Sequence, residues 1–223
     1  PDPIPGSGQE ARKEEAVTKR AVLAGAGAVA GMAGMALGWG LLEADMFTLR
    51  RAQAPVLPLG HAPLRVLHIS DIHLVPHQDD KLAWIHSLAE LEPDLVVNTG
   101  DNITSAAACD PLLEALDPLL DIPGVFVWGS NDYYAPRFKN PLRYVAPWLP
   151  GKDPVSQELP WPRLQREFTA RGWEDLTHRR AMREIRGTTI EFRGTDDAHL
   201  ERDRYSEVAG PPLPGAELAI GVT

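Results

Sequence analysis

Polarity along the chain falls into three regimes: a polar, mixed-charge start over residues 1–20, an uncharged apolar run over 21–42, and short apolar runs cut by turns from Leu64 onward. The start, with Pro and Gly at its head, reads as a flexible tail. At about 1.5 Å per helical residue the apolar run can cross a hydrocarbon core of about 30 Å, so it reads as a transmembrane or signal-anchor helix. Its richness in Ala and Gly leaves a secretory h-region or a buried helix as alternatives. Residues 43–63, punctuated by proline, read as a linker or edge strand.

From Leu64 the pattern changes to alternating strand and helix. Residues 65–70 form an apolar strand, and Leu82, Ile85, Leu88 and Ala89 recur at helical spacing ahead of Pro93. Residues 94–98 give a second strand, 111–120 a short helix, and Ile122-Pro123-Gly124 leads into a third strand over 125–128. This β-α-β-α-β order predicts an α/β domain with a parallel sheet. A long excursion follows from Tyr133 to Pro162, rich in proline, aromatic and basic residues, then a helix over 161–171. Residues 188–192 and 217–222 are expected to belong to a second sheet.

The three strands end in metal-binding chemistry: Asp71-Ile72-His73, Gly100-Asp101 and Gly129-Ser130-Asn131-Asp132. Asp71, Asp101 and Asn131 stand 30 residues apart, about one crossover unit, so three neighbouring strand ends should carry them to one rim. Asp71 and His73 share a face at the strand exit and can reach one cation. Asp101 offers a carboxylate able to bridge two cations, as two-metal hydrolytic sites require. Asn131 or Ser130 supplies a neutral oxygen, and Asp132 can orient a neighbouring ligand.

These motifs resemble those of the calcineurin-like metallophosphoesterases, in particular a membrane-associated bacterial branch, over residues 64–223. The resemblance implies a four-layer α/β/β/α sandwich, incomplete here, preceded by one N-terminal hydrophobic helix. It also implies two divalent metal ions (Mn, Fe or Zn) held by Asp71, His73, Asp101 and Asn131, with catalytic roles at Asn131 and Asp132. The third motif departs from the family's Gly-Asn-His-Asp/Glu: Ser130 stands at the family Asn and Asn131 at its His, which removes the usual proton donor. The later family histidines are absent, so the chain is expected to be a fragment cut at both ends, with half a site and little activity of its own. The implied activity is hydrolysis of a phosphodiester or pyrophosphate, lipid-linked given the tether. A catalytically impaired, metal-stabilised binding domain is the alternative.

Asn102, Ser130, Tyr133 and His199 are candidate substrate contacts, and Tyr134, Arg137 and Lys139 candidate phosphate or leaving-group contacts. His68 reads as a core residue or one that supports a neighbouring ligand, His77 as solvated loop, and His61 and His86 as poor candidates for ligands. The formal charge of −9 over 223 residues argues against a nucleic-acid partner. Cys109, the only cysteine, excludes an intrachain disulfide. Arg12, Lys13, Lys19 and Arg20 precede the apolar run, which favours a cytoplasmic amino terminus and a single-pass membrane protein with its domain outside the cytoplasm. Export with a cleaved signal is the other reading, and a degenerate twin-arginine pattern at Thr18-Lys19-Arg20 bears on it.

Overall fold

The computed structural model describes residues 7–44, 46–136, 148 and 157–223. It divides into two units, Pro1–Arg50 and Arg51–Thr223. In the first, helix α1 runs over Ser7–Glu43, so residues 7–20, expected as tail, are helical and continuous with the apolar run. Within it Gly25–Glu43 is long and apolar enough to cross a membrane, a property that signal sequences share. Val29, Met32, Met35, Trp39 and Leu42 are all exposed there, an apolar surface that water does not stabilise.

The second unit is built on a parallel sheet of β1 (Val66–Ile69), β2 (Leu95–Asn98), β3 (Gly124–Phe126) and β4 (Glu174–Asp175), in that order. Between them run α2 (Asp79–Ser87), α3 (Cys109–Leu120), the one-turn α4 (Ser130–Tyr133) and α5 (Trp161–Ala170). The period-2 alternation of β2 shows how this sheet is covered on both faces. Val96 packs with Leu67, Ile69 and Phe126 against Ile85, Leu112, Leu116, Leu164 and Phe168, in the helix-covered core. Leu95 and Val97 point the other way and meet Ile185, Ile190, Phe192 and Val222 of the second sheet.

That second sheet comprises β5 (Arg179–Ile185), β6 (Thr188–Gly194) and β7 (Leu218–Val222), with β5 antiparallel and β7 parallel to β6. The short helix α6 (Tyr205–Val208) lies between β6 and β7 in the chain. Three layers of the expected sandwich are therefore described: helices, parallel sheet, second sheet. Strand β5 goes unpredicted because its charged sequence buries only Ala181 and Ile185. Its turn carries the missing signal: Ile185 pairs with Thr188 across Arg186 and Gly187, both at positive φ (50° and 77°), the geometry of a two-residue hairpin. The linker over 54–63 forms no strand and is pinned by His61, whose Nδ1 lies 3.0 Å from Thr188 Oγ1 and Nε2 3.3 Å from Glu217 Oε1.

On the outer face of the second sheet Glu191 is fully buried beneath two guanidinium groups. Arg193 donates to both of its oxygens at 2.9 Å, Arg180 Nε donates at 2.7 Å, and the Leu213 amide at 2.9 Å. The same arginines donate to the carbonyls of Gly210 and Pro211, which fastens the segment before β7. The Arg193 contact, set against burial and joined by the Leu213 amide and Arg180, holds the Glu191 carboxyl down at about 2, against an ordinary 4.5. A depressed carboxyl stabilises the fold above its unfolded pKa, and that contribution is lost as pH falls through the folded value. Denaturant titrations from neutral pH downward should therefore show stability falling between 4.5 and about 2, with a flatter profile in that window for Glu191→Gln.

Candidate metal centre

The ends of β1 and β2 continue side by side as paired loops. Asp71 N donates to Gly100 O (3.1 Å), His73 N to Asp101 O (2.8 Å) and Leu74 N to Asn102 O (2.9 Å), so the parallel ladder extends past the strands into the motifs. Within it Asp71, His73 and Asp101 all adopt left-handed backbone, with φ of 53°, 43° and 56°. Each such residue costs roughly 1–2 kcal/mol relative to right-handed backbone. The result is convergence: one oxygen of each carboxylate and one imidazole nitrogen lie within 4.8 Å of one another. His73 Nε2 is 3.7 Å from Asp71 Oδ1 and 3.4 Å from Asp101 Oδ2.

The third motif meets this group from β3. Asn131 grips the Asp101 carboxylate with both its nitrogens, the backbone N donating to Oδ1 and Nδ2 to Oδ2, each at 2.8 Å. Gly100 and Gly129 make that approach possible. A Cβ on Gly100, at φ +86°, would strike the Gly129 backbone nitrogen, and one on Gly129 would strike the Asp101 carboxylate. Of the two residues left open by the sequence, Asn131 is the one in contact with the Asp101 carboxylate; Ser130 is half-buried at the start of α4.

Asp132 joins the second and third motifs. It is fully buried and accepts hydrogen bonds from the backbone nitrogens of Asp101 (2.8 Å), Asn102 (2.8 Å) and Gly129 (3.0 Å), and from Asn102 Nδ2 (3.1 Å). Burial pushes its pKa up to about 6, against the pull of the Gly129, Asn102 and Asp101 N–H groups. Asn102 is likewise a strut and faces no solvent: 1% exposed, it also accepts from Asn98 Nδ2 at 2.8 Å. Tyr133 is buried, its hydroxyl donating to Asp196 Oδ1 at 2.8 Å and its ring covered by the Arg202 guanidinium at 3.9 Å. Burial, reinforced by Asp196, raises the phenol pKa far above its ordinary value, so it remains a donor.

His199 lies exposed on the turn Ala198–Leu200 after β6, outside the cluster of Asp71, His73 and Asp101. His68, expected in the core, is exposed, with Nε2 3.0 Å from Thr99 Oγ1. His77 and His86 are exposed, and Tyr134 is 37% exposed. Arg137 and Lys139 lie outside the described residues. Asp196, 5% exposed and placed after a strand and a glycine, ties the loop after β6 to the third motif through Tyr133 and through Arg202 Nε at 3.1 Å.

Two carboxylates and an imidazole, with Asp71 and His73 open to solvent, suit a divalent cation bonded at about 2.1 Å, which small side-chain rotations would accommodate. Replacing Asp132 by Ala strands three backbone donors in the interior. The expected outcome is a loss of about 3 kcal/mol in unfolding free energy by urea titration, accompanied by roughly tenfold weaker Mn²⁺ binding by calorimetry.

The profile of the calcineurin-like phosphoesterase family matches residues 64–205. The uncharacterized protein YpbG of Bacillus subtilis (strain 168) is 29% identical over 150 residues, covering 66% of this chain and 48% of the relative. The chain thus spans about half the length of that curated relative. Since the match takes in β1 to β6 and all three motifs whose side chains meet at the carboxyl rim, the chain belongs to the calcineurin-like phosphoesterase family, whose members hydrolyse phosphoesters with bound divalent metals.

Proposed function

We propose that this chain carries a divalent-cation site that hydrolyses a phosphodiester or pyrophosphate, tethered to a membrane by α1. The supporting observation is the meeting of Asp71, His73 and Asp101 on one rim with Asn131 laid against Asp101. Asp71, His73 and Asp101 would hold one cation, and Asp101 with the Asn131 amide oxygen a second. Bound there, divalent cations acidify water and neutralise the charge that builds on the phosphoryl oxygens. The residues keep the carboxylates in register: Asn131 fixes the Asp101 plane, Ser70 donates its hydroxyl to Asp71 Oδ2, and Asp132 locks the two loops together.

Among the described residues no second imidazole joins this cluster, and Asp132 is buried away from any leaving group. Departure of the leaving group is therefore weakly assisted, which favours acidic leaving groups. The same third motif favours a second reading, a binding domain that the metal stabilises without catalysis.

With Mn²⁺ present, the protein should hydrolyse bis-p-nitrophenyl phosphate. Rates should fall about 10²–10⁴-fold on alkyl diesters that need a proton donor, and Asp101→Ala should abolish activity. Absence of turnover with any divalent metal, together with a metal-dependent rise in Tm, would establish the binding domain instead. For the tether, fractionation of expressing cells should place the protein in the membrane fraction with an intact amino terminus by mass. A mature terminus beginning after residue 42 would show a cleaved signal.

A further inference from the structure

Lys81, in the first turn of α2, reaches back to the first motif: its Nζ donates to the Ile72 carbonyl oxygen at 3.1 Å. Ile72 stands between Asp71 and His73, the two residues that this motif gives to the metal cluster. Its carbonyl shares one rigid peptide plane with the His73 N–H, which donates to Asp101 O at 2.8 Å. The plane joining Ile72 to His73 is therefore held at both ends, by the second motif on one side and by Lys81 on the other.

Without those bonds the plane has a way to relax. The side chains of Ile72 and Leu74 are buried in the helix-covered core, which fixes the residues around it. A peptide plane between fixed residues can still turn over, changing ψ of the residue before it and φ of the residue after it in opposite senses. Turning this one over would carry the His73 φ from 43° to about −140°, the extended range that a residue with a Cβ prefers. It would also break the His73 N–H bond to Asp101, which sets the register of the first motif against the second.

Lys81 is well placed to resist that motion. Its bond to Ile72 is charge-assisted, and such bonds are roughly twice as strong as neutral ones. The side chain is half-buried and rides on a helix anchored in the core by Ile85. The stretch between motif and helix is closed as well, with Val75 N donating to Gln78 Oε1 at 3.0 Å.

We propose that Lys81 is a positioning residue of the metal centre: it holds the Ile72–His73 peptide in the orientation that bonds His73 to Asp101, and so keeps His73 Nε2 in register with the Asp101 carboxylate, 3.4 Å away. Its effect on a cation rests on the cation site proposed above; its hold on the peptide does not. The full chain is compared as wild type, Lys81→Met and Lys81→Arg, first in EDTA by NMR hydrogen exchange and then with Mn²⁺ by calorimetry. In EDTA the His73 amide of Lys81→Met should exchange about tenfold faster than in wild type. The Val96 amide, bonded to Pro123 O in the sheet, should keep its rate, and Lys81→Arg should stay close to wild type. An unchanged His73 rate in Lys81→Met, or an acceleration shared equally by Val96, overturns the proposal. With Mn²⁺, Lys81→Met should bind about tenfold more weakly and Lys81→Arg within about threefold of wild type. Wild-type affinity in Lys81→Met, tighter binding there through removal of a positive charge, or equal weakening in both variants overturns the role at the metal centre. A wild-type chain that binds no Mn²⁺, while Lys81→Met still frees the His73 amide, sinks the cation site and leaves the hold on the peptide standing.

Discussion

One buried carboxylate holds the site in shape. Asp132 reaches from α4 into the turn after β2 and takes the backbone N–H groups of Asp101 and Asn102, while also closing its own turn through Gly129. Every donor aimed at the proposed cations depends on that clamp. It fixes the peptide carrying Asp101, which in turn receives both nitrogens of Asn131 and pairs through its carbonyl with the His73 amide. A charge this deep is expensive to bury, and four N–H donors are what offset the cost.

The sheet supplies the rest by geometry. Parallel strands β1, β2 and β3 deliver their ends to one rim, and the two cores on opposite faces, helices on one and the second sheet on the other, keep those ends from shifting. The third motif is further braced from the second sheet, because the loop after β6 brings Asp196 and Arg202 to Tyr133. Shape at the metal centre is thus coupled to packing some distance from it.

Much of this was legible in the sequence, and the limits have physical causes. The strands ending at Asp71, Asp101 and Gly129 were visible because buried parallel strands read as short apolar runs at crossover spacing. Strand β5 was hidden by its charged residues, which stand on both faces and leave only Ala181 and Ile185 buried. Asp132, expected to orient a neighbouring ligand, does so through partners that are largely backbone N–H groups, which no residue letter displays. The partner of Tyr133 was equally hidden, since Asp196 lies 63 positions away in the loop after β6. The choice between Ser130 and Asn131 needed coordinates, since a one-residue offset in a tight turn decides which side chain meets Asp101.

The left-handed backbone at Asp71, His73 and Asp101 has a consequence for substitution. All three carry a Cβ in a conformation that glycine adopts freely, so the hydrogen-bonded pairing of the two loops must hold them there, and exchange of any one for glycine would relieve local cost while removing a side chain from the rim.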